Sequence, residues 1–83
     1  MEENRISVVS IILQTREAAA RVNDLLHAYG DCIVGRMGIP YRERGVSIIC
    51  VVLDAPGDTV SALSGKLGMI DGVTSKTVIS KQN

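Results

Sequence analysis

The sequence predicts a single α+β domain, spanning residues 1–83, in which a four-stranded antiparallel sheet carries two helices on one face. Three observations support this fold class. The chain has 83 residues, a common size for one domain, and 46% of them are hydrophobic, too many for a disordered chain. Two nearly continuous apolar segments each lead into a helical pattern. The second half of the chain then repeats the order of the first.

The first half begins with a strand followed by a helix. Residues 5–13 are β-branched and almost entirely apolar, the pattern of a strand that is covered on both faces. Thr15 offers a hydroxyl that can cap the next element. Residues 16–29 place apolar side chains at steps of three and four, which predicts an amphipathic helix. Gly30 is expected to end that helix in a left-handed conformation.

A second strand is predicted over residues 32–39, at the edge of the sheet. Gly35 and Gly38 weaken the strand and are typical of a bulge, and Pro40 is expected to close it. Residues 41–45 form a polar turn. These features favour an edge strand because a central strand needs every backbone N–H.

The second half repeats this pattern. Residues 46–53 predict another apolar strand. A helix then starts near Pro56, or is capped by Asp58, and Gly68 is expected to end it as Gly30 ends the first. The segment Val73–Ile79 predicts a fourth, more polar strand at the other edge.

The order β-α-β-β-α-β has one favoured solution. Two interleaved right-handed βαβ units give a ferredoxin-like sheet with strand order 4-1-3-2 and both helices on one face. The two most apolar strands are then central, and the two more polar strands lie at the edges.

The helix-free side of this sheet is too apolar for a face that meets water. In residues 5–13 both alternating sets are mainly apolar, so the face away from the helices stays apolar whichever set packs against them. The sets are Ile6, Val8, Ser10 and Ile12 against Ser7, Val9, Ile11 and Leu13. An exposed patch of this kind usually marks an interface. We therefore expect a homo-oligomer, dimer or tetramer, formed through the helix-free face or an edge strand.

Charge and composition argue against several classes of partner. Nine Lys and Arg balance nine Asp and Glu, and there is no Phe or Trp, so we expect no direct nucleic-acid binding. The longest apolar run, residues 48–53, is too short to cross a membrane. The acidic residues 1–4, and an apolar stretch interrupted at Ser10, argue against a secretory signal. The expected location is the cytoplasm.

No catalytic or metal-binding constellation is visible. His27 is the only histidine, and it has no apparent nucleophile partner. Cys32 and Cys50 lie in apolar segments and are expected to be reduced and buried, with a disulfide as the less favoured alternative. We expect no enzymatic activity, no metal and no cofactor.

One cluster of charge stands out in the connection between the second and third strands. Arg36, Arg42 and Arg44 lie close together in the sequence, and Tyr41 lies between them. Guanidinium groups bind carboxylates and phosphates through two parallel hydrogen bonds. These residues are therefore candidates for a site that binds a small anionic effector or an acidic partner. The alternative is a solvated hairpin whose charges keep an edge strand soluble.

Several segments together resemble a known family. They are Tyr29-Gly30-Asp31, the run Gly-Arg-Met-Gly-Ile-Pro-Tyr-Arg-Glu at residues 35–43, and Ser-Ala-Leu-Ser-Gly-Lys-Leu-Gly at residues 61–68. With them the chain resembles, over nearly its whole length, the small regulators of the iron-only hydrogenase system. The resemblance implies an ACT-like, ferredoxin-like stand-alone domain in the cytoplasm of anaerobic bacteria, with a regulatory role.

ACT domains suggest a second candidate site. They typically hold a small effector, often an amino acid, between the end of the first strand and a neighbouring subunit, at a turn that contains glycine. Residues 13–16 contain no glycine here, which departs from that pattern. Gln14, Thr15 and Arg16 nevertheless offer polar groups at a helix N-terminus, which favours anions.

We therefore expect a non-enzymatic regulatory module that binds a small anionic or amino-acid-like effector at a subunit junction. Any role in transcription would require a partner protein. The alternative is a structural scaffold that binds a protein partner through an edge strand.

Overall fold

The computed structural model describes residues 3–81 and has the predicted order of elements and the predicted sheet. The strands are β1 (Asn4–Leu13), β2 (Ile33–Tyr41), β3 (Val46–Pro56) and β4 (Val73–Ile79); the helices are α1 (Arg16–Ala28) and α2 (Gly57–Gly68). Short 3-10 turns, Gly30–Cys32 and Arg42–Arg44, flank β2. The antiparallel sheet has the order β2-β3-β1-β4, which confirms 4-1-3-2 read from the opposite edge. Within the described residues no helix is long and apolar enough to cross a membrane.

The two most apolar strands are central, as predicted. Val9 of β1 pairs with Val51 of β3 on one side and with Thr77 of β4 on the other. The edge strand β2 pairs with β3 alone, and its register shifts between Ile33 and Gly35, which confirms an irregularity at the first strand glycine. Met1 and Glu2, part of the acidic start of the chain, lie outside the described residues.

Both helices pack on one face of the sheet, the helix-covered face. Its central residues are Ser7, Val9, Ile11 and Leu13 of β1 and Ile49, Val51, Leu53 and Ala55 of β3, all buried. Val22 and Leu26 of α1, and Leu63 and Leu67 of α2, complete this core. Because these residues recur at four-residue steps, each helix buries one stripe. Burying each large aliphatic side chain contributes about 1.5–3 kcal/mol before entropy is counted.

The opposite side is the helix-free face. The pairing register places the following residues there: Asn4, Ile6, Val8, Ser10 and Ile12; Gly35, Met37, Ile39 and Tyr41; Val46, Ile48, Cys50, Val52, Asp54 and Pro56; Thr74, Lys76 and Val78. Ile12 is 41% exposed and Met37 57% exposed. The predicted contrast therefore holds in the folded chain: one apolar face is covered, and a second, largely apolar face is open.

The predicted helix ends were wrong in their conformation. Among the described residues only Gly45 and Gly72 have a positive φ, so Gly30 and Gly68 are not left-handed caps. Helix α1 ends at Ala28 and runs into a 3-10 turn, while α2 includes Gly68. The last carbonyls are satisfied by tightening of the final turn, since the N–H of Met69 bonds to the carbonyl of Lys66.

Two further expectations need correction. Strand β2 does not stop at Pro40 but continues to Tyr41, because an edge strand tolerates a missing N–H. The thiols of Cys32 and Cys50 are free, as expected, but both residues are half-buried rather than buried. Cys50 belongs to the helix-free face, where no helix covers it.

Candidate functional site

A pocket of about 400 Å³ opens between the start of α1 and the hairpin that joins β2 to β3. The β1–α1 turn and the first turns of α1 form one wall, and the end of β2 and the start of β3 form the other. Its lining residues are Leu13, Gln14, Thr15, Arg16, Ala19, Pro40, Tyr41, Arg42, Gly45, Val46 and Ser47. The pocket has the size of a small-molecule site, although it is more open than an enclosed cavity.

The first wall is held rigidly by the cap of α1. Thr15 has an extended backbone, and its hydroxyl accepts the N–H of Ala18 at 3.0 Å, which confirms the predicted N-cap. The N–H of Gln14 donates to the carbonyl of Gly72 at 2.9 Å. The side chain of Thr15 therefore positions this wall, whereas the side chains of Gln14 and Arg16 are exposed.

Gly72 explains why the turn after α2 fits so closely against this wall. Its φ of 82° lies in the left-handed region, which glycine adopts without strain. A Cβ at this position would lie 3.3 Å from Oγ1 of Thr15 and 3.6 Å from the Cβ of Ala18. Glycine satisfies both the backbone conformation and the close approach without strain.

The second wall depends on the short turn that follows β2. Residues Arg42–Arg44 form a 3-10 turn that ends at Gly45, where φ is 67° and the N–H donates to the carbonyl of Arg42 at 3.1 Å. This turn reverses the chain and places Tyr41 and Arg42 along the pocket. Arg44 lies in the same turn but does not line the pocket.

The two candidate sites of the sequence therefore meet in one place. Gln14, Thr15 and Arg16 face Tyr41 and Arg42 across a single pocket. Whether these residues bind a ligand stays a prediction. Residues from opposite ends of the first βαβ unit are brought together because β1 and the β2–β3 hairpin end on the same side of the sheet.

Arg36 lies apart from the main pocket. It projects on the helix side of β2, and its Nη2 donates to Oδ1 of Asn23 at 2.9 Å, at an exposed position. Together with Gly38 and Ile49 it lines a neighbouring groove of about 270 Å³ between β2 and α1. The groove and the pocket share lining residues, so Arg36 lies at the far end of one continuous depression.

Sequence reasoning missed four further residues that line the pocket: Ala19, Pro40, Val46 and Ser47. In the sequence, Pro40 indicates only the end of a strand, and Ala19 only part of a helical stripe. Val46 and Ser47 belong to a predicted strand, and nothing in that pattern indicates a role in a site. Their proximity depends on the packing of α1 beside the hairpin, and no local pattern in the sequence carries that information.

The charges around the pocket suit an anion. Arg16 and Arg42 bring two guanidinium groups from opposite walls, and the first N–H groups of α1 have no acceptor within the helix. Glu17, in the first turn of α1, partly offsets this positive charge. Among residues 3–81 no group of three or more His, Cys, Asp or Glu side chains is placed to hold a metal ion.

Comparison with known proteins identifies one family. A family model described as "TM1266-like: Iron-only hydrogenase system regulator, putative" matches residues 5–77. The solved structure of the uncharacterized protein TM1266 from Thermotoga maritima is 44% identical, covers 95% of this chain and 100% of its own, and superposes with a TM-score of 0.91. No curated protein matches the chain.

More distant structures share the fold alone. The C-terminal domain of the MgtC protein from Mycobacterium tuberculosis is 14% identical, covers 99% of this chain and 94% of its own, and has a TM-score of 0.73. A formyltetrahydrofolate deformylase from Pseudomonas putida KT2440 is 13% identical, with a TM-score of 0.63 over 88% of this chain and 28% of its own. This sheet with two helices therefore also occurs as one part of a larger protein.

Proposed function

The chain belongs to the TM1266-like family of iron-only hydrogenase system regulators, and on that premise we propose that it is a non-enzymatic regulatory module that binds a small anionic effector. One observation carries the proposal. Two separate segments, residues 14–16 and 41–42, meet in one pocket with a guanidinium group on each wall.

The chemistry of the pocket suggests the class of effector. Arg16 and Arg42 can bind a carboxylate or a phosphate through paired hydrogen bonds, and Gln14 can bind a neighbouring polar group. Pro40, Val46 and the ring of Tyr41 offer apolar surface beside these groups. A small organic acid, an amino acid or a compact phosphate ester fits this combination.

The effector would act by changing how copies of the chain assemble, as a dimer or tetramer in the cytoplasm. Tyr41 and Val46 line the pocket and also belong to the helix-free face, so a bound ligand would touch a surface on which subunits could meet. For this to work, the effector must bind one assembled state more tightly than another. Any effect on transcription would pass through a partner protein that contacts DNA.

Thermal-shift screening of amino acids, organic acids and nucleotides tests the pocket. We expect at least one anionic compound to raise the melting temperature of the unmodified chain and of Arg44→Ala, and to lose its effect in Arg16→Ala and Arg42→Ala. Arg44→Ala is the matched control because Arg44 lies in the same turn without lining the pocket. Equal shifts in all four proteins, or no shift with any compound, would contradict the proposal.

A second candidate function is that of a scaffold that binds a protein partner at β2. This edge strand has nine residues, pairs on one side only, and is exposed along nearly its whole length. Its outer backbone groups can therefore accept an additional strand. Recovery of a stoichiometric protein partner from native cytosol, together with no response to any small anion, would favour this function over the first.

A further inference from the structure

We propose that two copies of this chain associate face to face through the helix-free face, with the contact centred on β3. The inference rests on the part of the proposed function in which the chain assembles with itself. It does not depend on whether the pocket binds an effector. It adds which surface is used and where its centre lies.

The distribution of polar residues places the centre of the contact. Across β2, β3 and β1 the centre of the helix-free face is apolar; the exceptions are Tyr41 and Asp54 toward opposite ends of the face and the small residues Gly35, Ser10 and Cys50. The two charged residues of this face lie on its borders. Lys76 is on the edge strand β4, and Asp54 lies toward the end of β3, in the row before Pro56. The uncharged area is therefore centred on the middle of β3, near Cys50.

The size of the face is sufficient for a specific contact between two copies. Three strands, β2, β3 and β1, and five rows of residues span about 14 Å by about 33 Å, a footprint on the order of 500 Å². Two such faces bury about 1,000 Å² in total, which is near the lower limit for a specific interface. Burying this surface also removes branched aliphatic side chains from water, the main favourable contribution to such an association.

A second copy is the occupant that suits this surface. A symmetric contact pairs a patch with itself, which requires a patch without charge at its centre, as found around Ile48 and Cys50. The formal net charge of the chain is zero, so two copies do not repel each other at long range. A strongly charged partner would find no complementary charge at the centre of the face.

Sedimentation of charged variants tests the surface. We expect Ile12→Glu to halve the mass of the wild-type particle at micromolar concentration, with an unchanged far-UV circular dichroism spectrum. Met69→Glu is the matched control, because Met69 is 81% exposed and lies outside the helix-free face, and it should leave the mass unchanged. A wild-type particle at the chain mass of 8.9 kDa, or a folded Ile12→Glu variant that keeps the wild-type mass, would overturn the inference.

The two cysteines of the chain locate the contact independently of any disruptive variant. Facing sheets lie about 10 Å apart, and a disulfide needs Cα atoms within about 7 Å, so a flexible bifunctional maleimide is the suitable probe. We expect Cys32→Ser, which retains Cys50, to form a covalent dimer readily, and Cys50→Ser to form little. Cross-linking through Cys32 alone would show self-association through another surface, and would overturn this inference without affecting the pocket.

Discussion

Neighbouring isoleucines of β1 lie in opposite surroundings. Ile11, on the helix-covered face, is fully buried, whereas Ile12, on the helix-free face, is 41% exposed. In β1 both faces are built mainly from aliphatic residues, so the composition of this strand does not distinguish them. What differs is that α1 and α2 cover only one face. The apolar residues of one strand therefore stabilise the fold on one face. On the other face, in our proposal, they form the contact between two copies of the chain.

The largest expected effect comes from truncating the two isoleucines in turn. Ile11→Ala should lower the free energy of unfolding by about 2–5 kcal/mol, because it leaves a cavity in the core. Ile12→Ala should cost less than about 1 kcal/mol in the dilute monomer, where its side chain already meets water. Urea unfolding measures both values.

Repeating the unfolding at several protein concentrations sharpens the contrast. The cost of Ile12→Ala should grow with concentration as self-association contributes, while that of Ile11→Ala should not. If Ile11→Ala does not fold, Ile11→Val, with an expected cost of about 0.5–1.5 kcal/mol, replaces it. Equal costs at every concentration would mean that the two faces do not differ as described.

The next largest effect distinguishes two left-handed glycines. Gly72→Ala should lower the free energy of unfolding by about 2–4 kcal/mol, since backbone strain adds to crowding against Thr15. Gly45→Ala carries the backbone strain alone, because a Cβ there would have no neighbour within 4 Å, and should cost about 1–2 kcal/mol. A comparison of denaturant midpoints checks the order. If Gly45→Ala lowers the free energy of unfolding as much as Gly72→Ala does, this result would contradict the close fit of Gly72 against Thr15 and Ala18.

Two serines of β1 give a smaller effect of opposite sign. Ser7 is buried on the helix-covered face, and its Oγ has no hydrogen-bond partner among the described residues. Ser7→Ala should raise the free energy of unfolding by about 1 kcal/mol, because it removes an unpaired buried hydroxyl. Ser10→Ala, on the exposed helix-free face, should change it by less than about 0.5 kcal/mol. A loss of stability in Ser7→Ala, measured by thermal unfolding, would indicate that the hydroxyl is bonded.

The smallest expected effect concerns the contact between the edge strand β2 and helix α1, at the border of the area that the helices cover. The Arg36–Asn23 hydrogen bond joins β2 to α1 across the open groove, at an exposed position. Arg36→Ala should therefore lower the free energy of unfolding by no more than about 0.5 kcal/mol, similar to the control Arg44→Ala. If chemical unfolding shows that Arg36→Ala lowers the free energy of unfolding by clearly more, then α1 packs more tightly against β2 than the exposure of this strand indicates.

Much of the fold was predictable because its signals are local. The extended apolar runs and helical stripes identified every strand and helix, and Thr15 was identified correctly as a cap because its hydroxyl reaches the N–H of Ala18 within one turn. The helix ends were not predicted correctly. A glycine after a helix permits a left-handed backbone conformation but does not require it. In this chain the helices end in tighter turns, at Gly30 and Met69, instead.

The candidate site was predictable only in pieces. Gln14, Thr15 and Arg16 were selected for their place at a helix N-terminus, and Tyr41 and Arg42 for their place in a basic hairpin. That the two groups share one pocket depends on the separation of α1 and β3, which is set by packing. The same packing turned Arg36 toward Asn23 and away from the pocket.

The sequence by itself determined the order of elements, the central and edge strands, and the existence of a second apolar face, because each follows from periodicity along the chain. It did not determine which face the helices cover. Both alternating sets of side chains in β1 are mainly aliphatic, so the alternation separates the two sets but does not show which of them faces the helices. Only the tertiary structure decided that Val9, Ile11 and Leu13 lie beneath the helices. The physical reason is that α1 and α2 pack against the sheet through contacts between residues that are far apart in the sequence. The energy of such contacts cannot be read from any short segment.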